Sequence, residues 1–270
     1  MEPIEITVGY GLLRSEETMF SYYGKLSTEV YNLTKPIGKS IGGDIEYYIE
    51  RLRHMDGRVL EAGVGTGRFL IPILEQGFNV DGIDYSKDML NVCREHCKKR
   101  GLATQLYQAS LENFQLSNKY KAIVMPTGSL CLLDNREDVI NVLRRFQDHL
   151  EPGGRIIIDL LLPHDFKAGE VTTEAFSLSN GEGITLERKS IAMDWINQKT
   201  VTYLKYEKWK DGKCMDTELQ EFNLIWFGIE EFRSILLELG FININCSSGY
   251  VYDKYPTGAD EVITFEAEVR

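Results

Sequence analysis

The stretch Arg58–Phe69, "RVLEAGVGTGRF", sets Gly63, Gly65 and Gly67 at alternate positions just behind an apolar run. Three glycines so spaced exceed what a single tight turn requires, and they let a backbone approach a ligand closely. The run before them reads as a buried strand, and "RFLIPILEQG" after them as a helix ending at Gly77. A dinucleotide fingerprint, G-x-G-x-x-G, would carry its third glycine one residue later. Glu61 stands two residues ahead of the first glycine. A pyrophosphate prefers helix-end amides without an adjacent carboxylate, whereas a ligand with a cationic tail is served by one. The alternative for Glu61 is a structural pair with Arg68.

Outward from this stretch, short apolar runs alternate with helical spacing. "FNVDGIDY" reads as a second strand. "SKDMLNVCREHCKKRG" reads as a helix capped by Ser86 and closed by Gly101. "ATQLYQAS" and "YKAIVMPTG" read as third and fourth strands. A helix over "NREDVINVLRRFQDHLEPGG" and a fifth strand, "RIIIDLLL", follow. Strand and helix in alternation predict βαβ units and a parallel sheet covered on both faces. "IEEFRSILLELG" and two last strands, "FININCSS" and "EVITFEAEV", bring the sheet to seven. The fold class expected is α/β, a doubly wound, mostly parallel seven-stranded sheet with an inserted antiparallel β lid.

Residues 1–55 read as a helical cap, with Asp44 capping "IEYYIERLRHM". Residues 56–173 and 228–270 form the α/β domain. Between them, over 174–227, the apolar period falls to two, and the link "KDGK" carries an Asp-Gly hairpin signal. This meander is expected to be either a lid or a dimerisation sheet, which leaves a homodimer open. Its aromatics Trp195, Tyr203, Tyr206 and Trp209 either wall a pocket or pack their own face.

Ligands of open parallel sheets bind at the carboxyl ends of the strands, near the topological switch point. The second strand ends at Asp84, 21 residues after Gly63, where an acid grips ribose hydroxyls. Adenosine without phosphate, joined to a cationic tail, is S-adenosylmethionine. Five segments in order resemble the class I S-adenosylmethionine-dependent methyltransferases: "VLEAGVGTGRF", "VDGIDYSKDML", "LYQASLENF", "YKAIVMPTGSLCLL" and "LEPGGRIIIDL". The resemblance covers residues 57–162 and the closing helix–strand–strand segment. It implies methyl transfer from S-adenosylmethionine to a nitrogen or oxygen of a small metabolite. It also implies a cofactor site built from Tyr23, Tyr31, Glu61, Ala62, Gly63, Gly65, Gly67, Asp84, Tyr85, Met89, Ser110, Leu111 and Met125. Where the family usually has an Asp on the adenine amino group, this chain has Ser110. His164, past the fifth strand, and Tyr31 are the candidate catalytic groups; Tyr22 and Tyr23 are alternatives to Tyr31 as the cover of the cofactor.

The formal charge of −11 gives no footprint for nucleic acid or an anionic membrane. "MPTGS" replaces the Asn/Asp-Pro-Pro-aromatic sequence of base-modifying DNA enzymes. The basic cluster "CREHCKKR" suits a helix C-terminus. Five cysteines without CxxC predict reduced thiols and no metal site, in a cytoplasmic protein without signal or membrane span. The competing functions are a non-catalytic cofactor-binding module and a methyltransferase acting on protein or tRNA.

Overall fold

The computed structural model describes residues 19–259 and 261–270; the first part of the expected helical cap lies outside them. Two helices lead, α1 (Lys25–Thr34) and α2 (Asp44–Leu52). The α/β order then runs β1 (Val59–Ala62), α3 (Leu70–Glu75), β2 (Val80–Asp84), α4 (Lys87–Arg100), β3 (Leu106–Gln108), β4 (Tyr120–Met125), α5 (Arg136–His149) and β5 (Leu150–Leu160). Four strands follow, β6 (Val171–Ser177), β7 (Glu182–Asp194), β8 (Lys199–Lys210) and β9 (Lys213–Ile225). α6 (Ile229–Glu238), β10 (Ile242–Ser248) and β11 (Ile263–Glu268) close the chain.

Seven strands form one sheet in the order β10-β11-β5-β4-β1-β2-β3, parallel except for the pairings of β11. Alternate residues of the central strands serve opposite layers. Leu60, Ile123, Ile156 and Ile158 pack with Val142, Phe146 and Phe232 of α5 and α6. Val59, Ala122, Val124 and Ile157 pack with Tyr48, Leu70, Ile73 and Leu90 of α2, α3 and α4. The strand order reverses at β1, between β2 and β4, so the crevice opens at the ends of β1 and β4.

The local signals around α4 hold. Ser86 Oγ accepts the Met89 N–H at 3.2 Å, Gly101 closes the helix at φ +67°, and Lys98, Lys99 and Arg100 occupy the last turn. Asp44 corrects an expectation. Gly43 is the cap of α2, and Asp44 is the first helical residue, its carboxylate taken by Arg68 at 2.5 Å and by the Ile41 N–H at 2.7 Å. A buried guanidinium draws the carboxylate inward more strongly than a free helix end does.

The inserted sheet is β6-β7-β8-β9, antiparallel throughout. It has one strand more than the period-two reading and starts at Val171 rather than 174, because β6 is an exposed edge without apolar alternation. Asp211 and Gly212, both at positive φ, make the two-residue turn between β8 and β9. Leu26 and Val30 of α1 pack on Ile184, Leu186, Leu204 and Tyr206 of this sheet. Glu218 of β9 caps α1, accepting the N–H groups of Gly24, Leu26 and Ser27 at 3.2, 2.8 and 3.3 Å and the Ser27 hydroxyl at 2.5 Å. The inserted sheet therefore holds α1 against the crevice.

Among the described residues no helix is long and apolar enough to cross a membrane, and no three His, Cys, Asp or Glu side chains are grouped to hold a metal. The five cysteines are free, four of them buried.

Candidate functional site

The glycine loop turns off β1 through three left-handed residues, Gly63, Gly65 and Gly67, at φ +76°, +54° and +86°. L side chains rarely adopt this conformation, so the alternating glycines are needed by the path of the chain. Gly65 serves the crevice directly. Its N–H donates to Asp84 Oδ2 at 2.8 Å, and the ring of Tyr31 lies 3.8 Å from where its Cβ would be. Gly67 faces inward, against Cys93 and Ile71.

Asp84 ends β2 beside this loop, its other oxygen accepting the Ser86 N–H at 2.8 Å. Burial raises its pKa above the ordinary carboxylate value, opposed by the N–H bonds of Ser86, Gly65 and Tyr85. A carboxylate offers about four lone-pair directions. Backbone N–H groups take part of them, and Asp84 also lines the crevice.

A cavity of about 220 Å³ fills the crevice. Of the residues singled out in the sequence, Tyr22, Tyr23, Tyr31, Gly63, Gly65, Asp84, Tyr85, Met89, Ser110, Leu111 and Met125 line it. Glu61, Ala62 and Gly67 do not. They sit in the wall behind, Glu61 only 3% exposed and Ala62 fully buried. Arg68 forms its ion pair with Asp44 at 2.5 Å and donates to the Lys39 carbonyl at 2.8 Å, while its charge also acts on Glu61. Burial pushes the Glu61 pKa well up, opposed by the charge of nearby Arg68, and its Oε2 has no hydrogen-bond partner among the described residues. A buried carboxylate oxygen without a partner is costly, and a cationic ligand arm near the loop offsets that cost.

The roof comes from the N-terminal segment. The Tyr23 carbonyl accepts the Ser86 hydroxyl at 2.7 Å, and Ser21 N–H donates to the Leu219 carbonyl of β9 at 2.7 Å, so the stretch of chain bearing Tyr22 and Tyr23 is tied to the start of α4 and to the inserted sheet. Tyr22 and Tyr85 meet edge to face at 5.6 Å.

His164 is not on the lining. It is exposed in the loop after β5, its nearest polar contact being the Leu162 carbonyl at 3.4 Å. The four meander aromatics also lie elsewhere. Trp195 is 72% exposed against Trp226, and Tyr203 packs on Phe20. Tyr206 is buried under α1, and the Trp209 indole donates to Thr185. The inserted sheet instead contributes Phe222 and Leu224, two same-face positions of β9.

Other lining residues were legible only weakly. Glu112, which accepts the Ser110 hydroxyl, returns a carboxylate to the loop after β3 two residues beyond the usual Asp. Lys35 stands one helical turn past Tyr31. Thr127, Gly128 and Ser129 belong to the loop after β4; Leu132, Leu133 and Leu161 add an apolar wall.

Residues 59–154 match the family model described as methyltransferase domain. The protein YqeM of Bacillus subtilis (strain 168) is 26% identical over 222 residues, 82% of this chain and 87% of its own. The dTDP-3-amino-3,4,6-trideoxy-alpha-D-glucopyranose N,N-dimethyltransferase of Streptomyces venezuelae is 29% identical over 117 residues, 43% of this chain and 48% of its own. Among solved structures, that of S-adenosylmethionine-bound CalS10, an amino pentose methyltransferase from Micromonospora echinaspora, superposes with a TM-score of 0.65 at 19% identity. It covers 93% of this chain and 99% of that one. The glycine loop with Asp84 beside it and the carboxyl of Glu61 behind it suits an adenosine ligand with a cationic arm, and the match over residues 59–154 identifies that segment as a methyltransferase domain.

Proposed function

We propose that the chain methylates an amine nitrogen of a small, partly apolar metabolite, an amino sugar being the class favoured. The observation that carries this reading is the apolar and aromatic lining of the cavity. Phe222 and Leu224 of the inserted sheet and Tyr22, Tyr23 and Tyr31 of the N-terminal segment line it with Leu132, Leu133 and Leu161. A pocket so walled suits a small acceptor better than a protein loop or tRNA. The Streptomyces venezuelae relative, named for an amino-sugar N,N-dimethylation, supports the nitrogen.

In this reading the cofactor, when bound, supplies a methyl group on a sulfonium. Asp84 holds the ribose hydroxyls. Tyr85, Met89 and Leu111 flank the adenine, and the Ser110–Glu112 pair takes its amino group in place of the usual Asp. Glu61 lies behind the ammonium arm, through the glycine loop. Tyr31 lies over Gly65, excludes water and holds the acceptor in line with the methyl. Burial raises the Tyr31 pKa, so its hydroxyl stays protonated and donates rather than acting as a base. A neutral amine needs only placement for in-line attack and loses its proton afterwards; no lining histidine is required.

The test is transfer of labelled methyl from S-adenosylmethionine to a panel of amino sugars, amino acids, phenols and hydroxy acids, with bulk tRNA and protein alongside. Label on amines supports the reading. Label confined to hydroxyls, tRNA or protein refutes it.

A further inference from the structure

The cavity is lined by an ammonium that forms no ion pair among the described residues. Lys35 directly follows α1, and its backbone N–H closes that helix on the Tyr31 carbonyl at 2.8 Å. Its ammonium lies 4.9 Å from the centroid of the Tyr31 ring, and the residue lines the cavity. The neighbouring cations are all committed. Arg68 pairs with Asp44 at 2.5 Å, Arg188 pairs with Glu174 at 3.0 Å, and Lys39 donates to the Thr34 carbonyl at 3.0 Å. Lys35 has no carboxylate partner among the described residues.

This arrangement is costly in the empty protein. Burial and the like charges of Arg68 and Arg188 hold the Lys35 pKa below the ordinary ammonium value, with Asp44 acting against them. The Tyr31 face returns only part of the lost solvation. An anion in the cavity would return the rest. Tyr31 reaches both Lys35 and Gly65, so the ammonium stands at the glycine-loop end of the space. Behind the same loop lies the unpartnered Oε2 of Glu61. The unpartnered Glu61 Oε2 and the Lys35 ammonium do not pair with each other, and a ligand that carries both a donor and an anion answers the two together.

We propose that Lys35 is the anion site of this cavity and takes a carboxylate from a bound small molecule. The inference rests on the methyl-donor reading for the ligand's overall character. The carboxylate comes either from the amino-acid arm of the cofactor or from the acceptor, and Lys35 presents the same chemistry to both.

The experiment compares the wild type with Lys35→Met, which keeps the apolar stem on Tyr31, and with Lys35→Arg, which keeps the charge. Calorimetry measures S-adenosylhomocysteine and its decarboxylated analogue, 5′-S-(3-aminopropyl)-5′-thioadenosine. If the cofactor supplies the carboxylate, the wild type binds the analogue about tenfold or more weakly, and Lys35→Met binds both alike. If the acceptor supplies it, Lys35→Met binds S-adenosylhomocysteine as the wild type does. The product-saturated wild type then takes succinate, followed by amide chemical shifts, about tenfold more tightly than Lys35→Met does. Lys35→Arg retains the wild-type pattern in either case. Equal behaviour of wild type and Lys35→Met toward all three probes overturns the proposal. A wild type that binds no S-adenosylhomocysteine defeats the methyl-donor reading instead, and the succinate comparison, run without it, still decides Lys35.

Discussion

Asp84→Asn tests the link between the glycine loop and the ligand most directly. Both oxygens of Asp84 are in use, one on the Gly65 N–H and one on the Ser86 N–H, each at 2.8 Å. An asparagine offers one acceptor oxygen and one NH₂. Whichever way the amide turns, its NH₂ meets a backbone N–H, so either the glycine loop or the start of α4 must shift. The ribose also loses a charged acceptor, and a hydrogen bond to a charged group contributes about 1.5–3 kcal/mol. The expected result is a roughly 10- to 150-fold weaker affinity for S-adenosylhomocysteine, read by calorimetry on protein whose near-ultraviolet dichroism is unchanged. A pH series adds a second reading. Binding uses the ionised carboxylate, so affinity is full above the pKa of Asp84 and falls as pH drops through it. Because burial raises that pKa, the fall begins above the ordinary aspartate range. Asp84→Asn should lack that limb. An affinity within twofold of wild type, or an unaltered pH limb in the variant, would refute the reasoning.

Glu218→Ala strips the acceptor from three amides of α1 and should cost about 1–2 kcal/mol locally. Hydrogen exchange should quicken in α1 while the central sheet is unmoved; unchanged exchange there would show that the cap is dispensable. Gly67→Ala places a Cβ 2.8 Å from Cys93 Sγ and 3.2 Å from Ile71 at φ +86°, and should lose about 1–3 kcal/mol in denaturant unfolding. Full stability would contradict the packing behind the loop. Asp159, fully buried, accepts from Tyr48, Thr264, Thr127 and Tyr250, and burial raises its pKa to about 6 despite those four bonds. A carboxyl raised on folding contributes stability that is present below its unfolded pKa and lost as pH rises through about 6. Melting temperatures from pH 4 to pH 7 should therefore carry a contribution in the wild type that Asp159→Asn lacks; identical pH dependence in the two proteins would exclude it.

Much of this protein is written in short windows of its chain. Alternating glycines behind an apolar run, Ser86 three residues ahead of the Met89 N–H it accepts, Gly101 past the last turn and Asp211-Gly212 between two strands are all local devices. Their physics involves residues within a few positions of one another, so the α/β order, the glycine loop and the place of Asp84 follow from the sequence alone. Tertiary structure decided what depends on distant segments meeting. Asp44 could have capped its own helix, but Arg68, 24 residues on, takes its carboxylate once the glycine loop folds over α2. Glu218 caps a helix nearly 200 residues away because the inserted sheet bends back onto α1. Period two announces strands without saying which face meets a ligand, and packing under α1 turned Phe222 and Leu224 to the cavity while Trp195 stayed in solvent. The same packing left His164 outside and brought Lys35 in, because a side chain's charge becomes chemistry only where the fold removes water from it.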